Sequence, residues 1–244
     1  MMFKEVRMSN KNKNSKPVID DASSTPDEMR GAILDAVMAH VPFDGWSEDS
    51  IKKAADDVGV TRAYIKLSFS EGAADMVDAY LKRIDAEMLA GLKKLPVDDI
   101  RIRDRISTAI KLRMEINQKN REVVARTVSF LAMPHNTPLS VRSLWRTADI
   151  MWRWAGDKAT DYNHYTKRVV LSGVYSSTLL YWLNDLSEDY EDTWSFLDRR
   201  IENVMQFEKL KAKGLKFIDN IPGLADVFGA KAKKSEDAKK ADDT

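Results

Sequence analysis

Apolar residues recur at intervals of three and four along most of this chain, the spacing that gathers them on one face of a helix. Ile33, Val37 and Val41 mark the inner face of a first helix, which opens at Pro26-Asp27-Glu28 and ends at Pro42-Phe43-Asp44-Gly45. Ser47-Glu48-Asp49-Ser50 opens a second, with Ile51, Ala54, Ala55 and Val58 inward and Gly59 as its stop. Thr61 begins a short third helix that runs to about Leu67. A longer one follows from Ala73, with Val77, Tyr80, Leu81, Ile84, Met88 and Leu92 on one face and Pro96 closing it. Ile102, Ile106 and Ile110 mark the next, and Val124, Val128 and Leu131 the one after. Beyond a turn from Met133 to Pro138, Leu144, Ala148, Met151 and Ala155 set the face of a tryptophan-rich helix. Val169 to Leu183 is apolar or small almost throughout, which predicts a helix buried on nearly every side. A last stripe holds Trp194, Leu197, Ile201, Val204 and Met205. No alternating run suggests a strand, and glycine and proline stand as punctuation, so the fold class is all-α.

Between the tryptophan-rich helix and the apolar one lies Ala155 to Arg168, a polar stretch that keeps Tyr162 and Tyr165 beside Asp161 and Arg168. Loops usually shed large aromatics, so this turn reads as a recognition segment, or as a pair of tyrosines capping a helix junction. The organisation is then a polar arm over 1–26, a three-helix unit over 27–72 and a helical body over 73–208. An amphipathic segment over 209–229 and a charged tail over 230–244 follow. In 209–229, Lys213 and Lys216 stand with Phe217, Ile218, Ile221, Leu224 and Phe228 clustered on a helical wheel. That is the pattern of a helix in a membrane interface, or of one docked on the body, and Pro222-Gly223 breaks it in two.

The 244 residues suffice for a substantial core. A net charge of +1 gives no global bias toward nucleic acid. Cysteine is absent, which removes disulfides, thiol nucleophiles and cysteine-held metals. No apolar run approaches the ~20 residues of a membrane span. The first residues are Lys- and Asn-rich without an apolar core, so a bacterial cytoplasmic protein is the simpler expectation than a mitochondrial presequence. Asp161 and His164 are three apart, as in a metal motif. A di-iron site needs a second such copy and further glutamates, and the chain has only His40, His135 and His164. No phosphate loop, nucleophile elbow or dinucleotide fingerprint is present, so neither enzymatic activity nor a metal or cofactor is expected. The body's tryptophans and methionines suit either a dense core or an apolar ligand cavity. The small face of Ser172, Gly173, Ser176 and Ser177 suits close packing or open space equally.

A series of motifs resembles the coenzyme-Q-nine family. It runs from Met133-Pro134-His135-Asn136 through Trp154-Ala155-Gly156-Asp157 and Thr160 to Arg168, then to Glu191-Asp192-Thr193-Trp194-Ser195-Phe196-Leu197. The resemblance covers roughly residues 28 to 210. It implies a non-enzymatic accessory of ubiquinone biosynthesis that holds an isoprenoid or quinone lipid. The implied lining is Ile110, Met114, Leu144, Ala148, Trp152, Val170, Val174 and Tyr181. The implied partner is the di-iron demethoxyubiquinone hydroxylase, met by Met151, Asp161, His164, Tyr165 and Arg168. His164 departs from the tryptophan of the better-known eukaryotic members. The family's C-terminal helix serves membrane attachment, peripheral on a bacterial or mitochondrial inner membrane.

The first three helices, with Gly59-Val60-Thr61 between the last two, resemble the helix-turn-helix of tetracycline-repressor-like regulators. That implies a repressor-like fold, a homodimer and, as the alternative function, a DNA-binding regulator sensing an apolar ligand. Arg62, Tyr64 and Lys66 would suit a recognition helix. Glu48, Asp49, Asp56 and Asp57 on the second helix weigh against it.

Overall fold

In the computed structural model, residues 25–96, 100–158 and 162–219 are described, except for the side chains of Tyr162, Met205 and 207–219. They form α1 (Pro26–Asp44), α2 (Glu48–Val58), α3 (Arg62–Ser68), α4 (Ala73–Leu92) and α5 (Ile102–Asn117). These are followed by α6 (Arg121–Leu131), α7 (Thr137–Trp154), α8 (Tyr162–Asn184) and α9 (Glu191–Asp219). Short 3-10 turns lead into α6, α7 and α9. No strand occurs among the described residues. The arm through residue 24, Asp161, Ile221, Leu224, Phe228 and the charged tail lie outside them.

Local chemistry sets the first helix ends where the sequence marks them. Thr25 caps α1 by accepting from the Glu28 amide, and the Glu28 carboxylate accepts from the Thr25 amide at 2.8 Å. Ser47 caps α2 in the same way, with Ser50 as its reciprocal partner. Gly59 closes α2 at φ 77°, a left-handed conformation that costs a glycine little. Thr61 caps α3.

The chain divides into two compact units, one through Ser172 and one from Gly173. In the first, α1 packs on α2, α3, α4 and α6, and α4 packs on α5 and α7. One apolar core joins Ile33 and Val37 of α1 to Ala54 of α2, Phe69 and Met76. It continues to Val123 of α6 and Leu139 of α7, so no break in the core falls at residue 72. Trp46 donates to Thr127 Oγ1 at 2.9 Å and its ring meets Tyr80 at 5.9 Å. Gly91 lets α5 approach closely, since a Cβ there would lie 2.9 Å from Leu112 Cδ2.

In the second unit, Trp182 on α8 and Thr193, Leu197 and Ile201 on α9 are buried. The turn between these helices holds Asp189 and Tyr190 at positive φ. Asp185 ties it down: its carboxylate accepts from the Ser187 amide at 2.8 Å, the Thr193 amide at 2.9 Å and both hydroxyls. Burial pushes this carboxyl's pKa up, but the Ser187 and Thr193 hydrogen bonds prevail and hold it at about 2.

Two expectations need correction. The polar stretch before Val169 is not a turn to its end, because α8 begins at Tyr162. The stripe of Leu171, Tyr175, Thr178 and Trp182 continues backward at helical spacing to the buried Arg168. Nor is α8 buried on nearly every side: Val169, Leu180 and Tyr181 are exposed on its outer face. At smaller scale, Ile102 sits exposed in the first turn of α5.

Candidate functional site

The segment singled out by its aromatics stands on an ionic base. Arg168 is buried where α8 meets α7. Its Nε donates to Asp149 at 2.7 Å, and its Nη1 to Asp157 and to the His164 carbonyl, each at 3.0 Å. Lys167 pairs with the other oxygen of Asp157 at 2.7 Å, and its ammonium lies 5.5 Å from the Trp152 ring centre. Trp152 Nε1 donates to the Lys167 carbonyl at 2.9 Å. The Asp149 and Trp152 bonds fix the first turns of α8 against α7, and the Asp157 pairs tie them to the loop between the two helices. Charge-assisted bonds of this kind hold geometry well when they are shielded from water.

On this base sits a cluster of rings. Trp145 of α7 lies 6.2 Å from His164 and 5.8 Å from Tyr165, centre to centre. His164 and Tyr165 meet edge to face at 5.2 Å. Of the residues assigned to a partner, Tyr165 is exposed and His164 half-buried, whereas Met151 and Arg168 are buried. Arg168 holds the turn beneath the rings through its bond to the His164 carbonyl. Trp145, one of the body's tryptophans, stands beside the patch.

Of the residues assigned to a lipid, Ile110, Met114 and Ala148 are buried, and Leu144, Trp152 and Val170 are half-buried in the first unit. In the second unit Val174 is buried, while Tyr181 is exposed and stacks on Phe196 at 4.6 Å. Lys213, Lys216, Phe217 and Ile218 fall within α9, with side chains outside the described set. Among the described residues no helix is long and apolar enough to cross a membrane.

Close to Ile110, Met114 and Ala148 in the chain is a buried charge network that the apolar pattern concealed. Asp85 of α4 accepts from Arg113 Nη1 at 2.6 Å, and from Arg146 Nε and Thr147 Oγ1 at 2.8 Å. Arg146 also reaches Asp78 at 2.9 Å, as does Lys82. Burial raises the Asp78 pKa, but bonds from Lys82 and Arg146 outweigh it and leave the carboxyl below its ordinary value. Asp85 falls between Leu81 and Met88 on the inward face of α4. A charge in that register was the signal.

Elsewhere in the first unit, an open groove of about 530 Å³ lies between α2, α3 and the start of α4. Its walls mix Lys52, Arg62 and Lys66 with Glu48 and Glu71 over an apolar floor.

A protein-family profile described as COQ9 matches residues 137–208, the span that holds Trp145, His164, Tyr165 and Arg168. The rat protein named ubiquinone biosynthesis protein COQ9, mitochondrial, is 32% identical over 215 residues, covering 82% of this chain and 67% of its own length. The chain belongs to the COQ9 family. The human COQ9 protein is 29% identical, with 82% of this chain and 66% of its own length covered. COQ9-B of Xenopus laevis is 32% identical over 191 residues, with 73% and 63% covered. The chain thus spans about two thirds of the length of these COQ9 relatives. Among solved structures, a TetR transcriptional regulator from Nitrosomonas europaea superposes with a TM-score of 0.59. It is 23% identical, and 71% of this chain and 96% of that one are covered. The COQ9 chain therefore has a tetracycline-repressor-like fold, and the likeness carries nothing about DNA.

Proposed function

We propose that this protein serves ubiquinone biosynthesis as a lipid-binding accessory. On this reading it withdraws a polyprenyl quinone intermediate from the membrane and presents it to the di-iron demethoxyubiquinone hydroxylase. The observation that carries the reading is COQ9 membership across 82% of the chain, at 32% identity to the rat protein. The physical demand is plain. A polyprenyl tail gains about 25 cal/mol for each Å² of apolar surface kept from water, so it leaves a bilayer only for walls as apolar. The protein makes and breaks no bond; it extracts, shelters and delivers. We place it peripherally on an inner membrane, in keeping with relatives named as mitochondrial.

The same fold suits a DNA-reading regulator, and charge favours the accessory reading. Residues 25–72 carry nine carboxylates against five lysines and arginines, a net of −4. A face of that sign repels phosphates.

Native mass spectrometry of the purified full chain tests the lipid. A co-purified species with the mass of a polyprenyl quinone or its precursor is expected, and a chain that is empty after gentle isolation contradicts the reading. Flotation with vesicles of anionic phospholipid tests the membrane contact. It is expected for the full chain and lost when the chain stops at Gln206.

A further inference from the structure

The groove between α2, α3 and the start of α4 has Ile51, Ile65 and Phe69 along its floor. Lys52, Arg62 and Lys66 line it as well. All three cations are exposed, and among the described residues none of them has an ion-pair partner. Other cations of the same three helices are engaged. Lys53 holds Asp44 at 2.6 Å, and Arg30 donates to the Ser68 carbonyl. Glu48 and Glu71 also line the groove, so three cations against two carboxylates leave an excess of one positive charge. That balance suits a short segment that brings a few carboxylates beside apolar side chains, and it offers little to a polyanion.

The chain carries one such segment within reach. Arg30, five residues after the Thr25 cap, has its guanidinium 4.1 Å from the centre of the Phe69 ring. Phe69 also lines the groove, so the N-terminal end of α1 stands beside it. Ahead of Thr25 the sequence reads Pro17-Val18-Ile19-Asp20-Asp21, two β-branched apolar residues followed by two carboxylates. These positions precede the described residues. Asp21 is four residues from Thr25 and Val18 seven, spans of up to about 14 and 25 Å in extended chain. A tether this short gives its free end an effective concentration on the order of millimolar.

We propose that the groove is the seat of this chain's own residues 18–21. Val18 and Ile19 lie over Ile51, Ile65 and Phe69, and the aliphatic stems of Arg62 and Lys66 extend that apolar surface. Asp20 and Asp21 meet the three free cations. Each exposed ion pair alone is worth little in water, and the tether makes several weak contacts sufficient. Seated there, the segment answers the cations of α3 from within the chain.

The chain has no cysteine, so an engineered pair reports the contact directly. Ser70 lines the groove, whereas Phe43 is exposed at the opposite end of the 19-residue α1. Disulfide closure in oxidised glutathione, followed on non-reducing gels, is measured in the full chain carrying Ser15→Cys and Ser70→Cys. It is expected to be about tenfold or more faster than in the chain carrying Ser15→Cys and Phe43→Cys. Adding Asp20→Lys and Asp21→Lys keeps the tether and is expected to slow the first pair several-fold. Adding Arg62→Glu and Lys66→Glu as well is expected to restore it, which a tether alone would not do. Without engineered cysteines, Asp20→Lys with Asp21→Lys is expected to shift the amide resonances of Lys66 and Ser70 and to leave that of Phe43 in place. Equal closure of the two pairs, or a first pair indifferent to the charge reversals, overturns the proposal. Closure between two chains, seen as a product of twice the mass, overturns it in favour of a second copy's segment.

Discussion

Two buried carboxylates in this chain do different work because their partners differ. Asp85 neutralises buried charge, so removing it takes the carboxylate from Arg113, Arg146 and Thr147 together. Asp85→Ala is expected to lower unfolding stability by about 3–5 kcal/mol, the cost of breaking a buried ion pair from one side. Urea denaturation at pH 7 measures it. Asp185 instead collects hydroxyl and amide donors at the turn before α9. Its folded pKa, about 2, lies below the usual unfolded value near 4. Its contribution is therefore fully present above about pH 4 and is lost as the pH falls through 2. Asp185→Asn is expected to be less stable at pH 7 and to lose less stability than wild type between pH 4 and 2. Parallel stability curves for the two proteins over that range would contradict the assignment.

At the scale of the element, what the sequence showed and what it hid follow one division. Helix ends fixed by near neighbours were legible: Pro26, Ser47, Gly59 and Thr61 each act within a few residues, as does the Thr25 cap that the structure adds. Thr25→Ala, which breaks the box with Glu28, should therefore cost about 1 kcal/mol, readable as a fall of a few degrees in Tm. The start of α8 was not legible, because His164 and Arg168 are polar and meet Trp145 and Asp149, residues 19 positions away on α7. The inward register of Asp85 was hidden in the same way, since its partners lie 28 to 62 residues away. The exposed face of α8 escaped for another reason. Periodicity marks apolar positions but does not say which of them finds a neighbour. The site divides likewise. Tyr165 and His164 were found by motif, whereas Trp145 became visible only once folding set α7 beside them.

For the whole molecule, the net charge of +1 hides an uneven distribution. Residues 25–72 hold −4, which leaves +5 for the remainder. In a repressor the corresponding three helices face DNA, and here α3 turns outward Arg62 and Lys66 but also Ala63 and a Leu67 that is 82% exposed. An exposed leucine offers phosphates no donor, and the acidic residues of α2 stand close by. Counterion release rewards only cations brought to the backbone, so the electrostatic part of DNA affinity is missing where the fold would put it. The full chain is expected to leave a duplex oligonucleotide unshifted in a mobility assay at 50 mM salt and micromolar protein. A shift that vanishes steeply with added salt would return the regulator reading. Reversing Lys66 to glutamate should change nothing in that assay, whereas it would abolish the shift of a protein that reads DNA through α3. The positive charge that offsets the −4 lies outside the helical body: residues 1–24 sum to +2, 209–244 to +3 and 73–208 to zero.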